Sequence, residues 1–106
     1  MKLPIKPLSV NEAWQGRRFK TKKYEKYISD VSNLLANIQL PPAPYCLSIT
    51  FGFSNVQSDI DNGLKPFIDC LQKKYNFNDK LIYKLIVTKE IVSKGNEFVS
   101  FDIYEL

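Results

Sequence analysis

The chain has 106 residues, 44% of them hydrophobic and 25% charged, with a net charge of +4 and no histidine. This length sets the expectation of one domain with a modest core, while the lack of histidine excludes a His general base, a Ser-His-Asp triad and any His metal site. No apolar run reaches the roughly 18 residues of a membrane span, and Cys46 and Cys70, behind an N-terminus without the apolar core of a signal peptide, read as separate buried thiols in a cytoplasmic protein.

Leu3, Ile5 and Leu8 come first, interrupted by Pro4 and Pro7, and suggest an irregular edge strand. In the following stretch, "NEAWQGRRFKTKKYEKY", the first half contains Gly16 and reads as a loop. From about Thr21 the apolar residues Tyr24, Tyr27, Ile28, Val31, Leu34, Leu35 and Ile38 recur at helical steps. Thr21 suits the N-cap, and Pro41-Pro42 ends the helix. "YCLSITFGF", residues 45–53, is β-branched and aromatic, a strand with Tyr45, Leu47, Ile49, Phe51 and Phe53 on one face. Beyond the polar loop "SNVQSD", a second helical stripe runs through Leu64, Phe67, Ile68, Leu71 and Tyr75, and Pro66 places its N-cap near residues 61–63. "LIYKLIVTKEIV" and "EFVSFDIYEL" read as two strands, joined as a hairpin by "SKGN", where Gly95-Asn96 suits positive φ. The predicted order is β-α-β-α-β-β: an α+β (α/β) domain over residues 1–106, a small mixed sheet packed by two helices.

Acidic residues concentrate in "SDIDNGLKPFID", residues 58–69, with Asp79 following in "NFNDKL". On an extended segment Asp59 and Asp61 point the same way, with Cα atoms about 6.6 Å apart, close enough to lean onto one divalent cation. At a strand-to-helix junction the helix dipole also favours their ionised forms. N-cap chemistry alone accounts for a D-x-D before a helix equally well. Lys65 faces Asp61 if both lie within the helix. Asp69, about 12 Å along the axis from Asp61, is too far to share its ion. It therefore either orients Lys65 or is a solvated charge.

The whole pattern, "DIDNGLKPFIDCLQ…NFNDKLI", resembles the central motif of the RusA-like Holliday junction resolvases, D-x-D-N-x-x-K-x-x-x-D-x-L followed by an acid-containing turn before an apolar strand. Asp59, Asp61, Asn62, Lys65, Asp69 and Leu71 all match, and "LPIKPLSVNEAWQGRRFKTKKYEKY" is similar to the family's opening, so the resemblance covers nearly the whole chain. It implies a RusA-like fold and a metal-dependent endodeoxyribonuclease that resolves four-way DNA junctions by paired symmetric cuts. The implied catalytic residues are Asp59, Asp61, Lys65 and Asp79. Of these, Asp59, Asp61 and Asp79 would hold Mg²⁺, or Mn²⁺ in its place, with Asn62, Asp69 and Asn78 around them. A homodimer is implied, and no nucleotide cofactor. The chain departs from the family at Asn78, where members often have a second acid. An all-Asp site suits a hard cation, which would lower the pKa of a bound water.

Asp79 raises a question of reach. A helix over residues 63–74 ends about 16 Å from Asp61, and the five steps left to Asp79 span at most about 17 Å. Asp79 either returns almost straight to its own D-x-D or serves a partner subunit.

"RRFKTKK", residues 17–23, supplies Arg17, Arg18, Lys20, Lys22 and Lys23 as candidate DNA-phosphate contacts. Phe19 reads either as a core residue or as a wedge at a junction. The rival readings are a junction-binding module that does not cleave and a metal-dependent phosphoesterase acting on a smaller substrate. Neutralising Arg17, Arg18 and Lys20 together should lower the salt dependence of DNA binding by up to about three counterions. An unchanged slope in a salt titration would remove the basic segment from the interface.

Overall fold

The alternating segment at residues 45–53 becomes the central strand of the molecule. The computed structural model describes residues 1–15 and 19–106. In chain order the elements are β1 (Lys2–Leu3), α1 (Val10–Ala13), β2 (Trp14–Gln15), β3 (Phe19–Lys20), α2 (Lys22–Leu34), β4 (Tyr45–Phe53), α3 (Leu64–Tyr75), a 3-10 turn (Asp79–Leu81), β5 (Ile82–Ile91) and β6 (Phe98–Glu105). They form a single α+β domain on a mixed four-stranded sheet of order β1-β6-β4-β5. The segment expected to be a loop before α2 contains the short helix α1 and the small antiparallel ribbon β2–β3.

β4 pairs in parallel with β5, from Tyr45↔Ile82 to Phe53↔Ile91, and antiparallel with β6, from Tyr45↔Glu105 to Gly52↔Phe98. The expected C-terminal hairpin is therefore corrected: β5 and β6 follow one another in the chain but lie on opposite sides of β4. Leu47, Ile49 and Phe51 are fully buried, and only a central position covers both edges of so apolar a strand. Residues 92–97 readily cross the roughly 10 Å that an intervening strand requires. Gly95 has the expected positive φ, 97°. β1 is an edge strand that stops just before Pro4 and pairs with β6 at Lys2↔Ser100 and Leu3↔Val99.

α2 and α3 pack on one face of the sheet. Tyr24, Tyr27, Val31 and Leu35 from the first, and Phe67, Ile68, Cys70 and Leu71 from the second, join Leu47, Ile49, Phe51, Phe53, Val99 and Phe101 in one core. Phe67 meets Phe51 and Phe101 edge-on, with ring centroids 6.4 and 5.6 Å apart. Thr21 caps α2, its hydroxyl accepting from the Tyr24 N–H at 3.1 Å. α2 stops at Leu34, well before Pro41. The prolines set only an outer limit. The chain must turn back sooner to reach β4, and the Ala36 carbonyl accepts from the Tyr75 hydroxyl at 2.6 Å instead of continuing a helix. α3 starts after Gly63 and ends at Asn76, whose left-handed φ of 54° turns the chain back. Pro66 falls in its first turn. Cys46 and Cys70 are both buried and unbridged. Burial pushes the Cys70 thiol up to about 12, so it stays protonated. Among the described residues no helix is long and apolar enough to cross a membrane.

On the other face of the sheet Phe98 lies across Gly52. A Cβ added at Gly52 would sit 2.3 Å from the Phe98 ring. Lys2 covers that ring from outside, with its ammonium 4.1 Å from the centroid. Gly52→Ala should therefore destabilise the fold by about 1–3 kcal/mol through overpacking, read as a lower urea midpoint. Gly52→Ala combined with Phe98→Leu should recover part of the loss.

Candidate functional site

The crossover between the parallel strands β4 and β5 carries every acidic candidate. Asp59 and Asp61 do not lie on extended chain: residues 60–63 form a turn. The Asn62 N–H donates to the Asp59 carbonyl and the Leu64 N–H to the Asp61 carbonyl, each at 3.1 Å. These two bonds bend the chain from the end of β4 into α3, and they remove the shared-face geometry expected of an extended pair. Both aspartates are exposed. Asn62 is half-buried, and its carbonyl accepts from the Val10 N–H at 2.9 Å, which ties the turn to α1.

Lys65 does not face Asp61, because Asp61 precedes the N-cap and the i,i+4 relation does not apply. Its ammonium lies 3.0 Å from Asp69 and 3.6 Å from Asp79. The hydrogen bond to Asp69 is the main reason its pKa is raised, with Asp79 adding to the effect. Asp69 is less solvated than its spacing suggested, with a side chain 20% exposed. Besides Lys65 it accepts from the fully buried Tyr24 through its hydroxyl at 2.9 Å, and from the Gln72 amide at 3.4 Å. The Tyr24 hydroxyl is held far above its usual value by burial first and by Asp69 second, so it remains a donor.

Asp79 returns to α3 of its own chain. Asn76 reverses the direction, and the Asp79 N–H then donates to Gln72 Oε1 at 2.9 Å, against the last turn of the helix rather than its start. Asn78, the departure from the two-acid pattern, caps the 3-10 turn by accepting from the Lys80 N–H at 3.0 Å.

Two lysines that the sequence did not single out belong to this region. Lys73 comes close to Lys20, and this approach, followed by desolvation, holds the Lys20 pKa below the ordinary lysine value while Asp69 opposes the shift. Lys20 also sits 5.5 Å from the Tyr24 ring centroid. Lys89, on β5, donates to the carbonyls of Val56 and Ser58 and so fastens the loop just before Asp59. No local pattern signals either contact, since each spans more than thirty residues of chain. Of the basic segment, Lys22 is exposed and Lys23 is paired with Glu12 at 2.5 Å. Arg17 and Arg18 lie outside the described residues, as do the side chains of Trp14 and Phe19.

The carboxylate oxygens are the right donor type for a hard cation, but the geometry does not fit one as it stands. Among the described residues, no three His, Cys, Asp or Glu side chains are gathered where they could hold a metal ion. Asp59, Asp61 and Asp79 do not form such a group. The cation beside Asp69 and Asp79 is Lys65. No protein-family model matches the chain, and no curated protein matches it significantly.

Asp69→Ala removes the acceptor for Tyr24, Gln72 and Lys65 together and should cost about 1–3 kcal/mol. Lys65→Met should cost less than about 1 kcal/mol, because the ammonium is largely exposed. Urea midpoints of the two variants test this order; equal losses would mean that the ion pair, not the Tyr24 hydrogen bond, carries the local stability.

Proposed function

We propose that the chain is an endodeoxyribonuclease that binds four-way DNA junctions as a homodimer and cuts them by paired phosphodiester hydrolysis. The reading rests on the motif that resembles the RusA-like resolvases, with Asp59, Asp61, Asn62, Lys65 and Asp69 at its spacing. The observation that supports it most is that Asp79, distant in sequence, folds back to within 3.6 Å of Lys65. Lys65 keeps its positive charge, with a raised pKa and a 58% exposed side chain, and is available to a phosphate oxygen. Lys20 and Lys73, which influence one another and Asp69, are further candidate contacts to DNA phosphates. Two cuts related by a two-fold require two sites related by a two-fold, hence the homodimer.

Mg²⁺ or Mn²⁺ is the cofactor that the resemblance assigns, yet the three carboxylates as placed do not form its cage. This separation favours one rival specifically: a module that binds junctions without cutting them.

A synthetic four-way junction decides between the two. Paired symmetric nicks that need Mg²⁺ or Mn²⁺ and disappear with EDTA are expected. Asp59→Asn, Asp61→Asn and Asp79→Asn should abolish them while junction binding persists, and Lys65→Met should slow them about a hundredfold. Binding of intact junction without nicks under every metal condition would establish the non-cleaving module. Absence of binding would overturn both.

A further inference from the structure

The stretch between the end of β4 and α3 carries Asp59 and Asp61, yet its own hydrogen bonds reach only a few residues. The Ser58 N–H donates to the Asn55 carbonyl at 3.1 Å, the Gln57 N–H to Asn55 Oδ1 at 2.9 Å, and the Asn62 N–H to the Asp59 carbonyl at 3.1 Å. Bonds of that span curl the chain but do not fix where the curl stands over the sheet. Its position is set from outside the loop. At the start, the Ser54 hydroxyl donates to Glu97 at 2.9 Å, and at the end the Asn62 carbonyl accepts from the Val10 N–H at 2.9 Å. Between these two points the Lys89 ammonium holds two carbonyls at once, that of Val56 at 2.9 Å and that of Ser58. The Ser58 carbonyl belongs to the peptide bond that leads into Asp59, so this grip acts directly on the backbone of the first acid.

Lys89 lies beside Phe51 in the β4–β5 pairing, and residues side by side in a sheet share a face. Phe51 is fully buried in the core beneath the helices, so Lys89 rises on the face that the crossover passes over. It is half-buried. Among the described residues it makes no ion pair, and its two partners are neutral carbonyl oxygens. A charged donor makes the stronger kind of bond to a carbonyl, and ordering so long a side chain costs rotamer freedom. What that ordering achieves here is the fixing of a loop. Two of the three ammonium donors are committed to it, which leaves little for a phosphate.

We propose that Lys89 is the positioning residue of the acidic turn. Through Val56 and Ser58 it sets where Asp59 and Asp61 stand over the end of the sheet and relative to Lys65 on α3. The assignment rests on the nuclease reading of those two acids, and it does not require Lys89 to touch DNA. Reaction geometry tolerates little displacement: a misplacement of about 1 Å costs on the order of a hundredfold in rate.

The test compares the wild type with Lys89→Met and Lys89→Arg, and with Lys84→Met, an exposed lysine on the other face of the same strand, as control. Backbone ¹⁵N relaxation of the full chain should show residues 56–62 ordered in the wild type, in Lys89→Arg and in the control, with order parameters of about 0.85. In Lys89→Met they should fall below about 0.6, while α2 and α3 keep their values. In single-turnover nicking of a four-way junction, Lys89→Met should be slower by about tenfold to a hundredfold. Lys89→Arg should retain most of the rate, because its donor fork can still reach both carbonyls. The salt slope of junction binding should stay that of the wild type, since Lys89 displaces no counterion. Should Lys89→Met fail to fold, Lys89→Gln, which can still bond one carbonyl, carries the same comparison. A loop as ordered as the wild type's in the variant overturns the proposal, whether or not the wild type cuts. So does a loosened loop that cuts at the wild-type rate, and so does a salt slope lowered by about one, which would make Lys89 a phosphate contact. A wild type that never nicks ends the nuclease reading alone, and the relaxation data then still decide the hold of Lys89 on the loop.

Discussion

The parallel pairing of β4 with β5 is the constraint from which the rest of the molecule follows. Antiparallel neighbours can be joined by a tight turn, but a parallel neighbour requires the chain to leave the sheet, travel back over one face and re-enter at the starting end. Residues 54–81 make that journey. α3 is the return path, and its apolar stripe exists because a crossover must cover the sheet it passes over. The acidic motif is divided by the same route. Asp59 and Asp61 sit where the chain leaves the C-terminal end of β4, whereas Asp79 sits where it re-enters before β5.

Asp69 links the layers within that crossover. It accepts from Tyr24 on α2, and Lys65 joins it to Asp79 in the 3-10 turn. Gln72 extends the same network, donating to Asp69 through its amide and accepting from the Asp79 N–H through its carbonyl oxygen. A half-buried carboxylate is tolerated because its oxygens are occupied, and this one holds two helices and the incoming strand in fixed relation. Asp69 is thus compensated internally, by a lysine four residues away and by a buried tyrosine. The same arrangement leaves Lys65 exposed while its ammonium is held by Asp69 and Asp79.

Much of this was legible in the chain. The limits of β4 match the apolar alternation over residues 45–53, Thr21 and the region of Gly63 mark the two helix starts, and the buried stripes of α2 and α3 fall largely where the three- and four-residue steps put them. These features were readable because they are local: side-chain periodicity, a cap, a proline. The misread features all depend on distant chain. The turn at Gly95 was recognised, but not that β4 would come between the strands it connects. α2 stopped short of its prolines because β4 had to be reached. The D-x-D pair was assigned to extended chain because nothing local reveals that the exit from β4 must bend at once into α3.

The sequence alone determined the types of the longer elements, the apolar faces, the single-domain scale and the presence of an acidic motif with lysine at a fixed spacing. Only the tertiary structure decided the strand order, the partner of Lys65, the approach of Lys73 to Lys20, the hold of Lys89 on the loop before Asp59, and the exposure of β5 at the edge of the sheet. The physical reason is common to all five. Periodicity records which side of an element faces the core, because burial acts on each residue separately. Which elements become neighbours depends on the joint demands of covering β4 on both edges and returning the chain for a parallel strand, and no short stretch of sequence carries that information.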